Sequence, residues 1–217
     1  MKLVFYSKLN KEVDLEFINL LRDRNAKIGY IPSATDESMF YFKELKNYYK
    51  KYHLKNFLYF DLDKYYERKR MKQIFDCEAL ILSGGNTYYF LWLIRKRRFA
   101  SLLRKFVKRG GILVGISAGG IIMTPNINTA KVPSFDCDEN KIGIKNTQAL
   151  NLVNFEFLPH FKNNKRYIDE VLGYSKKSNF PIFACSDKDG ILINENKLIF
   201  VNNPILFFNG KIYKVFH

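Results

Sequence analysis

Over its first 116 residues the chain alternates five short apolar runs, each of four or five residues, with longer amphipathic segments. This rhythm limits the fold more than any other feature. Leu3 to Tyr6, Ile28 to Ile31, Phe57 to Phe60, Ala79 to Leu82 and Ile112 to Ile116 read as strands, apolar on both faces. Strands of that kind, separated by helical segments, indicate a mostly parallel sheet covered by helices on both sides. The intervening helices are expected over Leu15 to Leu21, Asp36 to Tyr52, Tyr65 to Phe75 and a long stretch up to Arg109, where Gly110-Gly111 breaks it. Ser33, Thr35 and Asp36 offer capping oxygens at the start of the second.

The rhythm changes after about residue 125. Pro125 to Gln148 is polar and irregular, and loops of that length are usually functional. Asn163 to Gly173 has helical spacing. Apolar runs at Ile182 to Cys185, Ile191 to Ile193, Leu198 to Val201 and Ile212 to Phe216 read as strands and hairpins, with Asn209-Gly210 a hairpin turn between the last two runs. With 217 residues, 47% of them hydrophobic, the chain can bury one sizeable core. One α/β domain over residues 1–217 is expected, a three-layer sandwich ending in β-hairpins.

Charge and cysteines narrow the function classes. The formal net charge of +15 invites a nucleic-acid reading. The densest basic stretches, Lys43 to Lys55 and Arg95 to Lys108, have helical spacing, where charge forms solvated faces, and no nucleic-acid motif accompanies them. Cys77, Cys137 and Cys185 show no paired spacing, which fits a reducing compartment. No run of about 18 apolar residues suggests a membrane span, and Met1 to Tyr6 is too short for a secretion signal. The expectation is a cytoplasmic monomer or homodimer that needs no metal or cofactor.

Open α/β sheets carry their sites at the carboxyl ends of strands. Two of those ends have glycine-rich turns: Ser83-Gly84-Gly85-Asn86-Thr87 after the fourth strand, and Gly115-Ile116-Ser117-Ala118-Gly119 at the end of the fifth. In a Gly-x-Ser-x-Gly turn the small residues permit a sharp bend that projects the serine at a helix N-terminus. Ser117 is thus a candidate nucleophile. The Ala118 N–H then faces an oxyanion on the attacked carbonyl, with Gly85 the candidate second donor. A nucleophilic serine needs a base, and three histidines are present. His53 lies in a Lys/Tyr-rich helical stretch and His217 is the last residue, which leaves His160, after Phe155 to Pro159. For the acid behind the imidazole, Asp187, Asp136 and Asp138 are all placed to serve, and Asp189 reads as a turn residue before Gly190.

Ser83 to Thr87, Gly115 to Gly119 and Leu158-Pro159-His160-Phe161, in that order and spacing, resemble the peptidase E (aspartyl dipeptidase) and cyanophycinase family of serine peptidases. The resemblance runs from the first strand to the final hairpins. It implies a fold like that of the class I glutamine amidotransferases, with serine in place of their cysteine. It implies Ser117 as nucleophile, His160 as base, and Gly85 and Ala118 as oxyanion donors. The family's acid stands either in the loop after the elbow or after a late strand. Members with dipeptidase activity often carry Asn-Asp-Met-Pro in that loop, where this chain reads Ala130-Lys131-Val132-Pro133. The lysine shifts the expected acid to Asp187, with Asp136 in reserve. The implied reaction is hydrolysis of short peptides, foremost dipeptides with an N-terminal aspartate. The alternatives are a cyanophycinase-like hydrolase of β-aspartyl peptides and a non-catalytic relative that binds a small acidic ligand. Lys131, Lys162 and Arg166 are placed to meet a substrate carboxylate.

Overall fold

The computed structural model describes residues 1–195 and 197–215. Seven strands form the main sheet in the order β3-β2-β4-β5-β1-β8-β9. These are β1 (Lys2–Tyr6), β2 (Ile28–Ile31), β3 (Phe57–Tyr59), β4 (Ala79–Leu82), β5 (Ile112–Ile116), β8 (Gly190–Asn194) and β9 (Lys197–Val201). The first five are parallel, and β8 and β9 close the sheet as an antiparallel hairpin against β1. A second sheet, in the order β11-β10-β7-β6, uses β6 (Glu156–Leu158), β7 (Ile182–Ala184), β10 (Ile205–Phe208) and β11 (Lys211–Lys214). The sequence rhythm gave no sign of this separate sheet.

Seven helices flank the strands: α1 (Lys11–Leu20), α2 (Phe40–Tyr49), α3 (Met71–Phe75), α4 (Thr87–Lys96), α5 (Phe99–Lys108), α6 (Ala118–Met123) and α7 (Lys165–Ser175). Side chains alternate across a strand, so each buried strand feeds two cores. Leu3, Phe5, Leu80, Leu82 and Leu113 pack with Phe90, Leu93, Phe106 and Ile122 of α4 to α6. On the other face, Val4, Tyr6, Ile81 and Val114 pack with Val13, Phe17, Leu45 and Tyr49 of α1 and α2. This is the three-layer arrangement that the run-and-helix rhythm predicts. Asparagine side chains start three of the helices, Asn10 bonding the Val13 N–H, Asn86 that of Tyr89 and Asn164 that of Tyr167.

Several boundaries differ from expectation for local reasons. Asp36 does not open α2 directly. Its carboxylate takes the Ser38 hydroxyl at 2.6 Å and the Tyr41 N–H at 3.1 Å, holding a turn, and the helix begins at Phe40. The segment Tyr65 to Phe75 keeps only the short α3, preceded by a 3₁₀ turn over Arg68–Arg70. The long helix up to Arg109 is two helices, because Arg98 turns left-handed with φ of 54°. Asn209 and Gly210 both have positive φ, 50° and 71°, as a two-residue hairpin turn requires, but the turn joins β11 to β10, a strand not expected from the sequence, and the Leu198–Val201 run lies in the main sheet instead. The expected strand Ile212 to Phe216 is described to residue 215 only, and His217 also lies outside the described residues. His53 is exposed.

Candidate active site

The serine turn is built into the centre of the main sheet. Ser117 follows β5 directly and adopts φ 50°, ψ −111°, a conformation that costs a non-glycine residue about 1–3 kcal/mol. The neighbours hold it there. Its N–H donates to the Tyr6 carbonyl at 2.8 Å, and the Gly119 N–H donates to the Ser83 carbonyl at 3.1 Å. The bend is so tight that a Cβ on Gly115 would lie 2.4 Å from the Gly120 nitrogen, and one on Gly119 would lie 2.2 Å from the Leu82 carbonyl oxygen. Both glycines are therefore required by close backbone approach. All six residues of α6 are buried.

The histidine and its acid come from the small sheet. Strands β6 and β7 are parallel neighbours, with Leu158 opposite Ala184. The chain leaving β6 reaches His160, and the chain leaving β7 reaches Asp187. Two backbone bonds tie these exits together, Cys185 N–H to the Leu158 carbonyl at 2.8 Å and Phe161 N–H to the Cys185 carbonyl at 3.0 Å. His160 is itself left-handed, with φ of 57°. Its Nε2 lies 2.8 Å from Ser117 Oγ and its Nδ1 lies 2.7 Å from Asp187 Oδ1. The His160 and Asp187 side chains are about half exposed, at 48% and 50%.

Several rings join the two sheets, Phe155 packing on Phe5 and Phe183 on Phe200, and Phe157 sits closest to the elbow helix. A Cβ on Gly120 would come within 2.8 Å of the Phe157 ring, so the missing side chain lets β6 seat against α6. Phe157 also packs on Phe5 of β1, with ring centroids 5.4 Å apart.

A fourth side chain positions the Ser117, His160 and Asp187 group. Ser7, fully buried just past β1, accepts the His160 backbone N–H at 2.8 Å and donates to Asp187 Oδ1 at 3.4 Å. Sequence reasoning passed over it. Its one signal is its place at the carboxyl end of a central strand, where such sites form.

Asp136 has other partners. Its carboxylate takes the Tyr167 hydroxyl and, at 3.4 Å, the Lys162 ammonium. The Tyr167 hydrogen bond first, and then Lys162, hold its carboxyl below the ordinary carboxylate range. Asp138 accepts the Thr87 N–H at 2.7 Å and so fixes the loop of residues 125–148 to the N-terminus of α4. Asp189 accepts the Ser186 N–H at 2.7 Å, as a turn residue does.

The cleft beside Ser117 has a volume of about 400 Å³, and Thr87, Ala130, Asp136, Lys162 and Tyr167 are among its walls. The Thr87 hydroxyl is buried without a partner among the described residues. Of the three cations placed to meet a carboxylate, Lys162 lines this cleft. Lys131 lines a separate cavity near Glu156, and Arg166 stacks on Phe135, its guanidinium carbon 3.5 Å from the ring centroid. Among the described residues the Ala118 and Gly85 N–H groups have no hydrogen-bond partner. Gly85, with φ of 133°, is pressed against Ser33, whose Oγ would lie 2.1 Å from an added Cβ. Gly84 is the nearer of the pair to the nucleophile, its Cβ position 3.6 Å from Ser117 Cβ. No cluster of three or more His, Cys, Asp or Glu side chains among the described residues could hold a metal ion, and no helix among them is long and apolar enough to cross a membrane.

Residues 5–203 match the model of peptidase family S51. An uncharacterized peptidase of Listeria monocytogenes is 30% identical over 125 residues, 56% of this chain and 59% of that protein. A peptidase E of Shewanella putrefaciens is 26% identical over 151 residues, 63% of this chain and 59% of the relative. These alignments thus span somewhat under two thirds of the curated relatives. Among solved structures, the crystal structure of a candidate peptidase E protein from Listeria monocytogenes superposes with a TM-score of 0.74 at 23% identity, covering 92% of this chain and 96% of that one. A peptidase from an acI-B1 actinobacterium superposes with a TM-score of 0.68 at 13% identity. Both have the same fold: a mostly parallel central sheet between helices.

Proposed function

The chain belongs to peptidase family S51, and from that premise we propose that it is a serine-type peptidase hydrolysing short peptides, foremost dipeptides with an N-terminal aspartate. The observation that carries this reading is the continuous line of contacts from Ser117 Oγ through His160 to Asp187, at 2.8 and 2.7 Å. In the reaction, His160 Nε2 accepts the proton from Ser117 Oγ as the oxygen bonds to the scissile carbonyl carbon. Asp187 accepts the Nδ1–H, which fixes the tautomer that leaves Nε2 free and stabilises the imidazolium once formed. The Ala118 and Gly85 N–H groups, without a partner among the described residues, donate to the oxyanion, and the N-terminus of α6 aids them. His160 then protonates the leaving amine as the C–N bond breaks. Water, deprotonated by the same histidine, releases the acyl group from Ser117. The preference for aspartate is supported by Lys162 in the cleft, and the three free cysteines suit a reducing cytoplasm.

The test is a panel of Asp-X, β-Asp-X and neutral dipeptides given to the purified chain and to Ser117→Ala. Hydrolysis of Asp-X by the first, falling about 10³-fold or more in the second, is the expected result. A serine-directed phosphonate should label Ser117. Full activity in Ser117→Ala, or label on another residue, removes the proposed mechanism.

A further inference from the structure

A second cleft, about 660 Å³ in volume, opens beside the first and shares no lining residue with it. The two adjoin along the nucleophile turn, since Gly84, Gly85 and Ile116 line the second cleft and Ser117 lines the first. Its wall is aromatic and aliphatic: Tyr30, Tyr41, Phe42, Leu45, Tyr48 and Tyr59. Ligand pockets are typically apolar concavities with a few placed polar groups, and here the polar groups are unevenly charged. Asp36 and Glu44 lie on the α2 side, and Lys8 is the single cation among the described lining residues.

The wall is set before any ligand arrives. Asp14, buried on α1, accepts hydrogen bonds from the hydroxyls of Tyr6, Tyr48, Tyr49 and Tyr52. That cage fixes Tyr48, and with it the face of α2 that lines the cleft, against the main sheet.

Lys8 decides which part of a peptide the cleft suits. Its ammonium lies 4.0 Å from the Asp187 carboxylate, with the lysine side chain 70% exposed, so this ion pair is weak and open to exchange. In the proposed reaction the leaving nitrogen must sit at His160 Nε2. The α-carboxylate of a leaving amino acid is two bonds from that nitrogen, which keeps it near the His160–Asp187 pair where Lys8 stands. We infer that the aromatic cleft seats the leaving-group residue, with Lys8 holding its free α-carboxylate and the tyrosine-rich wall taking a large apolar side chain. Asp36 and Glu44 repel an acidic side chain at that position. This rests on the peptidase reading and specifies the second residue of its substrate.

Product binding tests the inference without turnover. L-Phenylalanine, L-alanine and L-phenylalaninamide are titrated into the purified chain at millimolar concentrations and followed by NMR. Phenylalanine should bind about tenfold or more tightly than alanine, and about fivefold more tightly than its amide. Lys8→Gln should erase the difference between acid and amide. Ala34→Trp, which fills the cleft from its exposed loop, should erase that between phenylalanine and alanine; a cooperative melting transition for each variant serves as the check that it folds. Equal binding of phenylalanine and alanine, or no binding, overturns the inference, and equal binding of acid and amide overturns the part given to Lys8. An Asp-X panel separates the two ideas. Hydrolysis indifferent to the side chain of X overturns the cleft's assignment and leaves the peptidase standing. Selective phenylalanine binding with no hydrolysis of any dipeptide overturns the peptidase reading and leaves the cleft as a site for an apolar amino acid, not for a leaving group.

Discussion

Ser117 and His160, the proposed nucleophile and base, stand on two different sheets. Ser117 is held at the end of a five-residue strand in the middle of the main sheet, between β4 and β1, with the helix after it wholly buried. His160 and Asp187 leave two three-residue strands of the small sheet, and their side chains are half exposed. The small sheet also buries a carboxylate. Glu156 of β6 is 1% exposed and accepts from Asn126 at 2.6 Å, from Tyr174 at 2.8 and 2.9 Å and from Ser178 at 3.2 Å. Both sheets rest on apolar burial: the main one is covered on both faces, and the small one has a core of its own around Leu158, Val171, Ile182 and Phe207, to which it adds this hydrogen-bonded carboxylate. A strained backbone persists only where its surroundings over-determine it; close backbone packing does this for Ser117, and the backbone bond to Ser7 helps do it for the left-handed His160. The acid–base pair needs hydrogen-bond partners and access to a substrate, which the small sheet supplies.

The sharpest way to break this contrast is to remove the acid. Asp187→Asn should lower kcat/KM about 10³-fold with the fold kept, because the amide cannot hold His160 in the working tautomer. Asp136→Asn should change it by less than about fivefold, since its partners are Tyr167 and Lys162. Steady-state rates on one Asp-X substrate check both, and the reverse ranking would move the acid to the loop.

Uncoupling the sheets comes next in size. Phe157→Ala leaves a void between β6, α6 and Phe5 and should destabilise by about 3–5 kcal/mol, read as a lower midpoint in urea. Ser7→Ala removes the hydroxyl that joins β1 to both His160 and Asp187. Loss of a neutral hydrogen bond of about 1 kcal/mol should reduce kcat about fivefold and leave KM nearly unchanged; a change confined to KM would take this positioning role from Ser7.

The smallest effect concerns pH. Burial raises the Glu156 carboxyl above its ordinary 4.5, against the lowering by its hydrogen bonds to Tyr174, Asn126 and Ser178. The folded state therefore holds this proton more tightly than the unfolded one. The stability it contributes is present in full below the unfolded value and fades as pH rises through the folded value. Glu156→Gln should lose less melting temperature than the parent between pH 4.5 and neutrality. A steeper loss in the variant would reverse the sign of this contribution.

The same contrast explains how much was legible in the sequence. Strands β2, β4 and β5 coincide with their apolar runs, because a strand buried on both faces must be apolar throughout. Ser117 and its helix followed from the turn chemistry at one of those ends. The small sheet was read only as strands and hairpins. Three-residue strands carry no periodicity, and β6 pairs with β7 across more than twenty residues of intervening chain. That pairing brings Asp187 to the His160 ring and leaves Asp136 with Tyr167 and Lys162, a difference that local pattern could not show. The break at Arg98 had no glycine or proline to announce it, and Ser7 became visible only once His160 was folded back over β1.

The connection from β7 to β8 has a mechanical consequence. Asp187 stands between a strand of the small sheet and a strand of the main one, so it is anchored from both. The seam between the sheets is crossed at the contact of His160 with Ser117, and the Ser7 hydroxyl at the end of β1 clasps it by bonding the His160 backbone and the Asp187 carboxylate together.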